Sequence, residues 1–333
     1  MMLRPVTLFF FACCCLLIAA CDPMMPVATP VAVIVTAPPS LTPIPRATDT
    51  PFPTRTPLPT STPDYTPTPT LFPCEVDSGQ VIEINQFPSE IAGGENLRYR
   101  VYLPPCYYET ERRFPYVVLL HGLSYRETQW EDIGVVDALD QGIRLGALPP
   151  MILVMPYYGA IGGTDSFPPD ASYENVILDE LLPAVERDLC TINQRDFRAL
   201  GGISRGGFWA LEIGFRHPQV FGILGGHSAF VPDPGVVPAA FSPLDIVETS
   251  PTLPEASLRI YLDNGSADTS ALTLQTLSDR LRSRNISHTY VINPGGDHSN
   301  DYWAAHVSDY LAFYGRNWPR AFGELPPCAE PSP

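Results

Sequence analysis

The stretch ALGGISRGGFWA, residues 199–210, decides how this 333-residue chain folds. An apolar run ends in the pattern Gly-x-Ser-x-Gly, made by Gly202, Ser204 and Gly206, and a segment of helical character follows at once. That order is typical of a strand, a sharp turn and a helix, with the serine strained at the turn. Glycine on either side allows the strand and the helix to approach closely. The pattern therefore predicts a reactive hydroxyl at Ser204.

A serine of this kind needs a histidine base later in the chain. Five histidines follow it: His217, His227, His288, His298 and His306. His298 ends a Pro-Gly-Gly-Asp-His run that follows the β-branched segment 288–292. A catalytic base is expected on an exposed loop after the last strand, so we expect His298 to be the base. His227, at the end of a strand, remains the alternative.

The acid that orients the base is expected after the strand predicted over 258–262. Two carboxylates stand there, Asp263 and Asp268. Asp263 also suits a turn, because aspartate before Asn-Gly accepts turn hydrogen bonds. Asp268 also suits the cap of a helix predicted over 269–284. The residues by themselves leave both candidates open.

Four blocks of sequence carry a family resemblance. They are the strand and His-Gly-Leu loop at 116–123, the doubled-glycine elbow at 201–207, a strand with Gly-x-x-Asp at 262–268, and His298 followed five residues later by Trp303. In this order they resemble the "putative esterase" branch of the α/β-hydrolase superfamily, which includes esterase D, enterochelin esterases, feruloyl esterases and bacterial mycolyltransferases. One difference is Asp297, which stands between the paired glycines and the histidine. The resemblance covers about residues 97–314.

This resemblance implies a serine esterase that hydrolyses carboxylic esters through an acyl-enzyme. It favours Asp268 as the acid beside His298 and Ser204, and it implies an oxyanion hole made by the backbone N–H groups of Leu123 and Arg205. One alternative is an acyltransferase that uses the same residues on a sugar or another alcohol. A second alternative is a non-catalytic surface- or carbohydrate-binding module on a hydrolase scaffold.

Several aromatic side chains are candidates for contact with a small-molecule or glycan-linked ester. They are His121, Tyr125, Trp130 and Trp303. Each also suits packing in a large core, and His121 also suits a role in supporting the loop before Gly122. The Arg205 side chain suits either an anionic substrate group or an ion pair with a nearby carboxylate.

Apolar runs alternate with longer segments along the rest of the domain. Eight runs are predicted strands: 81–84, 97–103, 116–120, 151–155, 197–203, 221–225, 257–262 and 288–292. Helical spacing recurs over 174–189 and 272–281, and the proline-rich segment 231–254 is expected to form a short cap. The pattern predicts an α/β-hydrolase fold: a mostly parallel eight-stranded sheet with helices on both faces and an antiparallel N-terminal edge hairpin around Gly93-Gly94.

The composition excludes several classes of protein. All 20 basic residues are arginine, so pyridoxal phosphate chemistry on a lysine and a P-loop lysine are excluded. The net charge of −16 disfavours nucleic acid as a partner. Neither Cys-x-x-Cys nor His-x-x-x-His occurs, so we expect no metal and no cofactor.

The N-terminus predicts export. Residues 1–20 read as a signal peptide, and Ile18-Ala19-Ala20-Cys21 resembles a bacterial lipobox that leaves Cys21 lipidated. Residues 21–73 form a linker, since 15 prolines and 12 threonines occur in the 52 residues after Cys21. We therefore expect a membrane-anchored lipoprotein at the cell surface or in the periplasm. A plain signal peptide or an uncleaved anchor is the alternative; the oligomeric state stays open.

Four cysteines remain in the predicted esterase domain, residues 74–333. An exported chain meets an oxidising compartment, so two disulfides are expected. The edge hairpin brings Cys74 and Cys106 to the same end. Cys190 and Cys328 then pair by elimination.

Overall fold

The computed structural model describes residues 72–328. The predicted signal peptide, the lipidation site Cys21 and the linker up to residue 71 lie outside the described residues. Within the described part, no helix is both long and apolar enough to cross a bilayer.

Strands and helices alternate along the described chain. The strands are β1 (Gln80–Ile84), β2 (Pro88–Ser89), β3 (Glu95–Asn96), β4 (Tyr99–Leu103), β5 (Tyr116–Leu120), β6 (Ile152–Pro156), β7 (Arg198–Ile203), β8 (Ile223–His227), β9 (Arg259–Gly265) and β10 (Thr289–Asn293). The helices are α1 (Gln129–Asp132), α2 (Val135–Arg144), α3 (Gly159–Gly163), α4 (Tyr173–Asn175), α5 (Leu182–Asp188), α6 (Arg205–Arg216), α7 (Pro243–Thr249), α8 (Ala271–Ser283) and α9 (Asn300–Tyr314).

Eight strands form one sheet in the order β1-β4-β6-β5-β7-β8-β9-β10. Strand β4 pairs antiparallel with both β1 and β6, and the pairs from β6 to β10 are parallel. The predicted mostly parallel sheet and its N-terminal hairpin are thus confirmed. The predicted turn at Gly93-Gly94 lies within a second, two-stranded ribbon of β2 and β3.

Helices cover both faces of this sheet, as two neighbouring glycines of β7 show. A Cβ on Gly201 would lie 1.8 Å from the Tyr314 hydroxyl of α9, and one on Gly202 would lie 2.2 Å from the Gly206 carbonyl carbon in α6. Successive strand residues face opposite sides of a sheet. Helices α9 and α6 therefore pack on opposite faces, and both require a bare backbone at this point of β7.

One predicted helix is interrupted in the structure. Segment 174–189 is divided into α4, a π-helical turn at Val176–Leu181 and α5. Pro183 has no N–H for the carbonyl of Asp179, so the hydrogen bonding before it shifts to a wider turn. The segment 231–254, predicted to form a cap, contains α7, and Ser242 caps the first turn of this helix by accepting from the Asp245 N–H at Oγ, at 3.3 Å.

Two disulfides close the domain: Cys74–Cys106 and Cys190–Cys328. These are the pairings expected from the sequence. The second bond ties the C-terminal segment to the chain before β7, and the Cys328 N–H donates to the Glu111 carbonyl at 2.7 Å.

Candidate active site

Ser204 stands at the turn between β7 and α6 with φ 54° and ψ −115°. This left-handed φ is rare for a residue with a Cβ, and such strain is held by surrounding contacts. The Ser204 N–H donates to the His227 carbonyl at 3.0 Å, and its carbonyl accepts from the Phe230 N–H at 2.9 Å. A Cβ on Gly206 would lie 2.4 Å from the Leu120 carbonyl oxygen. The predicted strained elbow is therefore present.

His298 lies in the loop between β10 and α9 and touches the serine. Its Nε2 is 2.9 Å from Ser204 Oγ, and its Nδ1 is 3.0 Å from Asp268 Oδ1. An ionised carboxylate only accepts hydrogen bonds, so Nδ1 carries the proton and Nε2 accepts from the Ser204 hydroxyl. The structure thus joins Ser204, His298 and Asp268 in one hydrogen-bonded chain.

Asp268 is 6% exposed, and two groups donate to its Oδ1. Its Oδ1 also accepts from the Ser270 N–H at 2.7 Å. Burial raises the pKa of Asp268, but hydrogen bonds from His298, Ser228 and Ser270 outweigh it and lower the pKa below its ordinary value. The carboxylate is therefore ionised at neutral pH.

Asp263 and His227, the alternative acid and base, form a separate buried pair. His227 Nδ1 lies 2.8 Å from Asp263 Oδ1, and both side chains are fully buried. Asp263 also accepts from the Tyr302 and Tyr310 hydroxyls of α9 at 2.6 and 2.9 Å. Strand β9 extends to Gly265, three residues past the predicted end, which places Asp263 inside the sheet.

The loop after β5 passes beside the serine. A Cβ on Gly122 would lie 3.7 Å from Ser204 Cβ. The Gly122 carbonyl faces His121 Nδ1 at 2.8 Å and the Tyr158 hydroxyl at 3.2 Å. In a trans peptide the N–H opposes the carbonyl, so the Leu123 N–H points away from His121. The Arg205 N–H, first in α6, has no intrahelical acceptor.

His121 supports this loop and is 1% exposed. Its Nε2 accepts from the Tyr158 N–H at 3.3 Å, and its ring stacks on the Tyr158 ring with centroids 3.9 Å apart. Burial lowers the pKa of His121 to about 4, so the ring is neutral at pH 7 and donates from Nδ1 to Gly122. Of its two predicted roles, the structure shows the supporting one.

The other residues predicted to contact substrate differ in their exposure to solvent. Trp130 and Trp303 are each 1% exposed, whereas Tyr125 is 38% exposed. Trp130 Nε1 donates to the Leu120 carbonyl at 3.1 Å, and Trp303 Nε1 donates to Ser228 Oγ at 3.0 Å. The Trp303 ring packs edge-on to the His298 ring at 5.1 Å. Substrate contact by His121, Trp130 and Trp303 was therefore a wrong expectation, because all three rings are buried.

The Arg205 side chain is occupied by protein groups. It pairs with Asp165 Oδ1 at 2.7 Å and donates to the Gly162 and Thr164 carbonyls at 3.1 and 2.6 Å. It therefore fixes the end of α3 and the residues that follow it, which is the ion-pair role that the sequence left open.

Two residues of the site were missed. Phe230 is 43% exposed and lies in the loop after β8, with its N–H bound to the Ser204 carbonyl. Gln129 is fully buried between the loops that carry Gly122 and Asn300. No local pattern in the sequence marks either one. Within residues 72–328 no group of His, Cys, Asp and Glu is placed to hold a metal ion.

Comparison with known proteins agrees with this fold. Residues 90–314 match the model of the family described as "Putative esterase". A ferulic acid esterase structure, 25% identical, superposes with a TM-score of 0.65 over 72% of this chain and 98% of its own. An S-formylglutathione hydrolase from Agrobacterium tumefaciens, 16% identical, has the same fold with a TM-score of 0.61 over 73% of this chain and 96% of its own.

Two curated relatives match shorter stretches. An endo-1,4-beta-xylanase/feruloyl esterase of Xylanibacter ruminicola is 31% identical over 45% of this chain, and an esterase of Mycobacterium tuberculosis is 34% identical over 40%. The matches span only 22% and 29% of those proteins' lengths. Since the family model covers more than half of the chain, the chain belongs to the "Putative esterase" family. Its fold is that of the α/β-hydrolase superfamily.

Proposed function

We propose that this domain hydrolyses carboxylic esters with Ser204 as nucleophile, His298 as general base and acid, and Asp268 as the group that orients His298. The observation that carries the proposal is the hydrogen-bonded chain through these three residues, with contacts of 2.9 and 3.0 Å, on a strained elbow. A non-catalytic scaffold does not require that strain or that alignment.

The mechanism follows from the positions of the protons. Ser204 Oγ attacks the acyl carbon while its proton moves to His298 Nε2, and the imidazolium that forms is stabilised by the Asp268 carboxylate. The proton then passes to the leaving alcohol as the ester C–O bond breaks. Water, deprotonated by His298, attacks the acyl-enzyme and releases the acid and Ser204. The N–H groups of Leu123 and Arg205 stabilise the oxyanion in both halves of the reaction.

We further propose that the acyl group is planar and aromatic. Two exposed aromatic residues lie near the serine: the N–H of Phe230 binds the Ser204 carbonyl, and Tyr125 packs beside Gly122 and edge-on to Trp303 at 6.4 Å. Aromatic rings stabilise a bound aromatic group through edge and face contacts. The names of the ferulic acid esterase and of the xylanase/feruloyl esterase support this class of substrate.

The acyl acceptor is proposed to be water. The acyltransferase alternative predicts that an added sugar or simple alcohol takes most of the acyl group at millimolar concentration. Product analysis by mass spectrometry with and without such an acceptor separates the two reactions. Free acid as the main product in both cases supports hydrolysis, and ester as the main product overturns it.

Export as a lipoprotein is a further part of the proposal. The apolar N-terminal run that ends at Cys21 supports it, and so do the two disulfides, which are typical of oxidising compartments. Detection of a diacylglycerol-modified N-terminal Cys21 in protein from the native membrane fraction would support this. An unmodified Cys21 within an intact N-terminus would overturn it.

The catalytic assignment is tested by three variants: Ser204→Ala, His298→Ala and the double variant. Because the two residues act as one unit, each single change is expected to remove most of kcat, and the double variant to be little worse. Hydrolysis of p-nitrophenyl and feruloyl esters is the readout. Ester hydrolysis that survives unchanged in Ser204→Ala would overturn the proposal.

A further inference from the structure

The Gln129 side chain joins the two loops that flank Ser204. Its Oε1 accepts from the Gly122 N–H at 2.7 Å, and its Nε2 donates to Asn300 Oδ1 at 2.9 Å. An N–H can only donate, so the oxygen of the amide must face Gly122 and the nitrogen must face Asn300. The side chain is fully buried.

At one end of the Gln129 side chain, the hydrogen bond from Gly122 helps to fix the orientation of this glycine. The Gln129 amide holds the Gly122 N–H, while His121 and Tyr158 hold the Gly122 carbonyl. Glycine otherwise rotates freely, and rotation here would turn the Leu123 N–H away from the oxyanion. Because the peptide groups on both sides of Gly122 are fixed, the Leu123 N–H points in one direction.

At the other end the contact reaches the base. Asn300 is the first residue of α9 and lies two residues after His298. Gln129 itself is held in place by its neighbour Trp130, which is buried and donates to the Leu120 carbonyl at the end of β5. The Gln129 side chain thus forms a bridge between the loop after β5, which carries Gly122 and Leu123, and the start of α9, directly after the loop that carries His298.

We propose that Gln129 is a positioning residue that locks the oxyanion donor of Leu123 and the base His298 into one geometry. This rests on the proposed function of Ser204 and His298. It follows that the loss of Gln129 lowers the rate of the chemical step more than it weakens substrate binding, because the oxyanion exists only after attack.

The first test is Gln129→Met, which keeps the length of the side chain and removes both hydrogen bonds. Loss of a whole oxyanion donor costs on the order of 10²–10³ in kcat, and a misaligned donor is expected to cost about 10- to 100-fold. KM is expected to change by less than about threefold. Thr128→Ala, which removes an exposed hydrogen bond to Asp132 on the same helix, is the matched control and is expected to leave kcat unchanged.

Asn300→Ala distinguishes action through the bridge from action at Gly122 alone. If Gln129 works partly through Asn300, the double variant Gln129→Met/Asn300→Ala is expected to be no slower than Gln129→Met, because coupled residues are not additive. If instead the fold-losses of kcat in the two single variants multiply in the double variant, the proposed bridge is overturned.

Gln129→Glu gives a readout that a merely structural role would not move. A protonated carboxyl accepts from Gly122 and donates to Asn300, as the amide does, whereas the ionised form places a negative charge beside the oxyanion loop. The ratio of kcat for Gln129→Glu to kcat for the unsubstituted protein is therefore expected to rise as the pH falls from 8 to 5. This holds even if Gln129→Met fails to fold.

The proposal is overturned if Gln129→Met keeps full kcat, or if the Gln129→Glu ratio is flat with pH. The failure of this proposal is distinguishable from the failure of the proposed function. If Ser204→Ala is inactive while Gln129→Met is fully active, only the bridge is rejected. Activity retained in Ser204→Ala would reject the proposed function itself.

Discussion

Asp263 and Asp268 are five residues apart in sequence, yet they hydrogen-bond different histidines on different elements. Asp268 Oδ1 lies 3.0 Å from Nδ1 of His298, and Asp263 Oδ1 lies 2.8 Å from Nδ1 of His227. The first pair reaches Ser204, whereas the second is enclosed by the sheet and by α9. The Asp268–His298 pair is therefore positioned to act on Ser204, and the Asp263–His227 pair to stabilise the fold.

Exchange of each carboxylate for an amide separates these roles. Asp268→Asn is expected to lower kcat by about 10³–10⁴ with little change in thermal stability, because the amide no longer fixes the tautomer of His298. Asp263→Asn is expected to lower the free energy of unfolding by about 1–3 kcal/mol, because its amide nitrogen faces donors. Kinetics and thermal unfolding of both variants check this. Greater loss of kcat in Asp263→Asn, with an unchanged melting temperature, would contradict the assignment.

The proposed contact of Tyr125 and Phe230 with an aromatic acyl group is tested by substrate preference. Tyr125→Ala and Phe230→Ala are each expected to lower kcat/KM for a feruloyl ester about threefold to tenfold, and to spare an acetyl ester, because only the aromatic acyl group contacts the rings. Leu145→Ala is the control, since this exposed leucine directly follows α2 and lies outside the loops that carry Tyr125 and Phe230. Equal losses on both esters would count against an aromatic acyl site.

Burial of neutral His121 makes stability depend on pH. Its pKa is about 4 in the folded state against an ordinary value of 6.5, so the unfolded chain binds more protons between these values. The free energy of unfolding is therefore expected to rise by about 3 kcal/mol from this group as the pH increases from about 4 to 6.5, and to be fully gained above that range. Denaturant unfolding at several pH values, compared with His121→Asn, isolates the contribution. The same slope in the variant would contradict it.

The two disulfides are expected to form in protein made in an oxidising compartment. Non-reducing peptide mapping should recover Cys74 linked to Cys106 and Cys190 linked to Cys328. Paired replacement of Cys190 and Cys328 by serine is expected to cost about 2–4 kcal/mol of stability. Free thiols throughout, or Cys74 linked to either of the other two, would be the contrary result.

Local patterns were enough to predict the elbow and the sheet. The turn at Ser204 depends on glycines within two residues of it, and the buried strands are continuous apolar runs. Such features arise from neighbours in sequence, so they leave a readable pattern. His298 was predictable for the same reason, since a loop-forming run directly precedes it.

Contacts between distant residues left no such pattern. Gln129 and Asn300 are 171 positions apart, and neither differs in type from many surface residues. The end of β9 was misjudged because Asp263-Asn264-Gly265 is a turn-forming sequence. Tyrosines of α9, about 40 residues later, satisfy Asp263 inside the sheet and override that preference.

The central claim is that Ser204 is the nucleophile activated by His298. The most direct measurement is stoichiometric labelling by a serine-directed organophosphonate, followed by peptide mapping of the adduct. We expect one adduct per chain, on Ser204, that forms with loss of ester hydrolysis, is absent in Ser204→Ala and forms far more slowly in His298→Ala. An adduct on another serine that abolishes hydrolysis, or full labelling of Ser204→Ala, would contradict it.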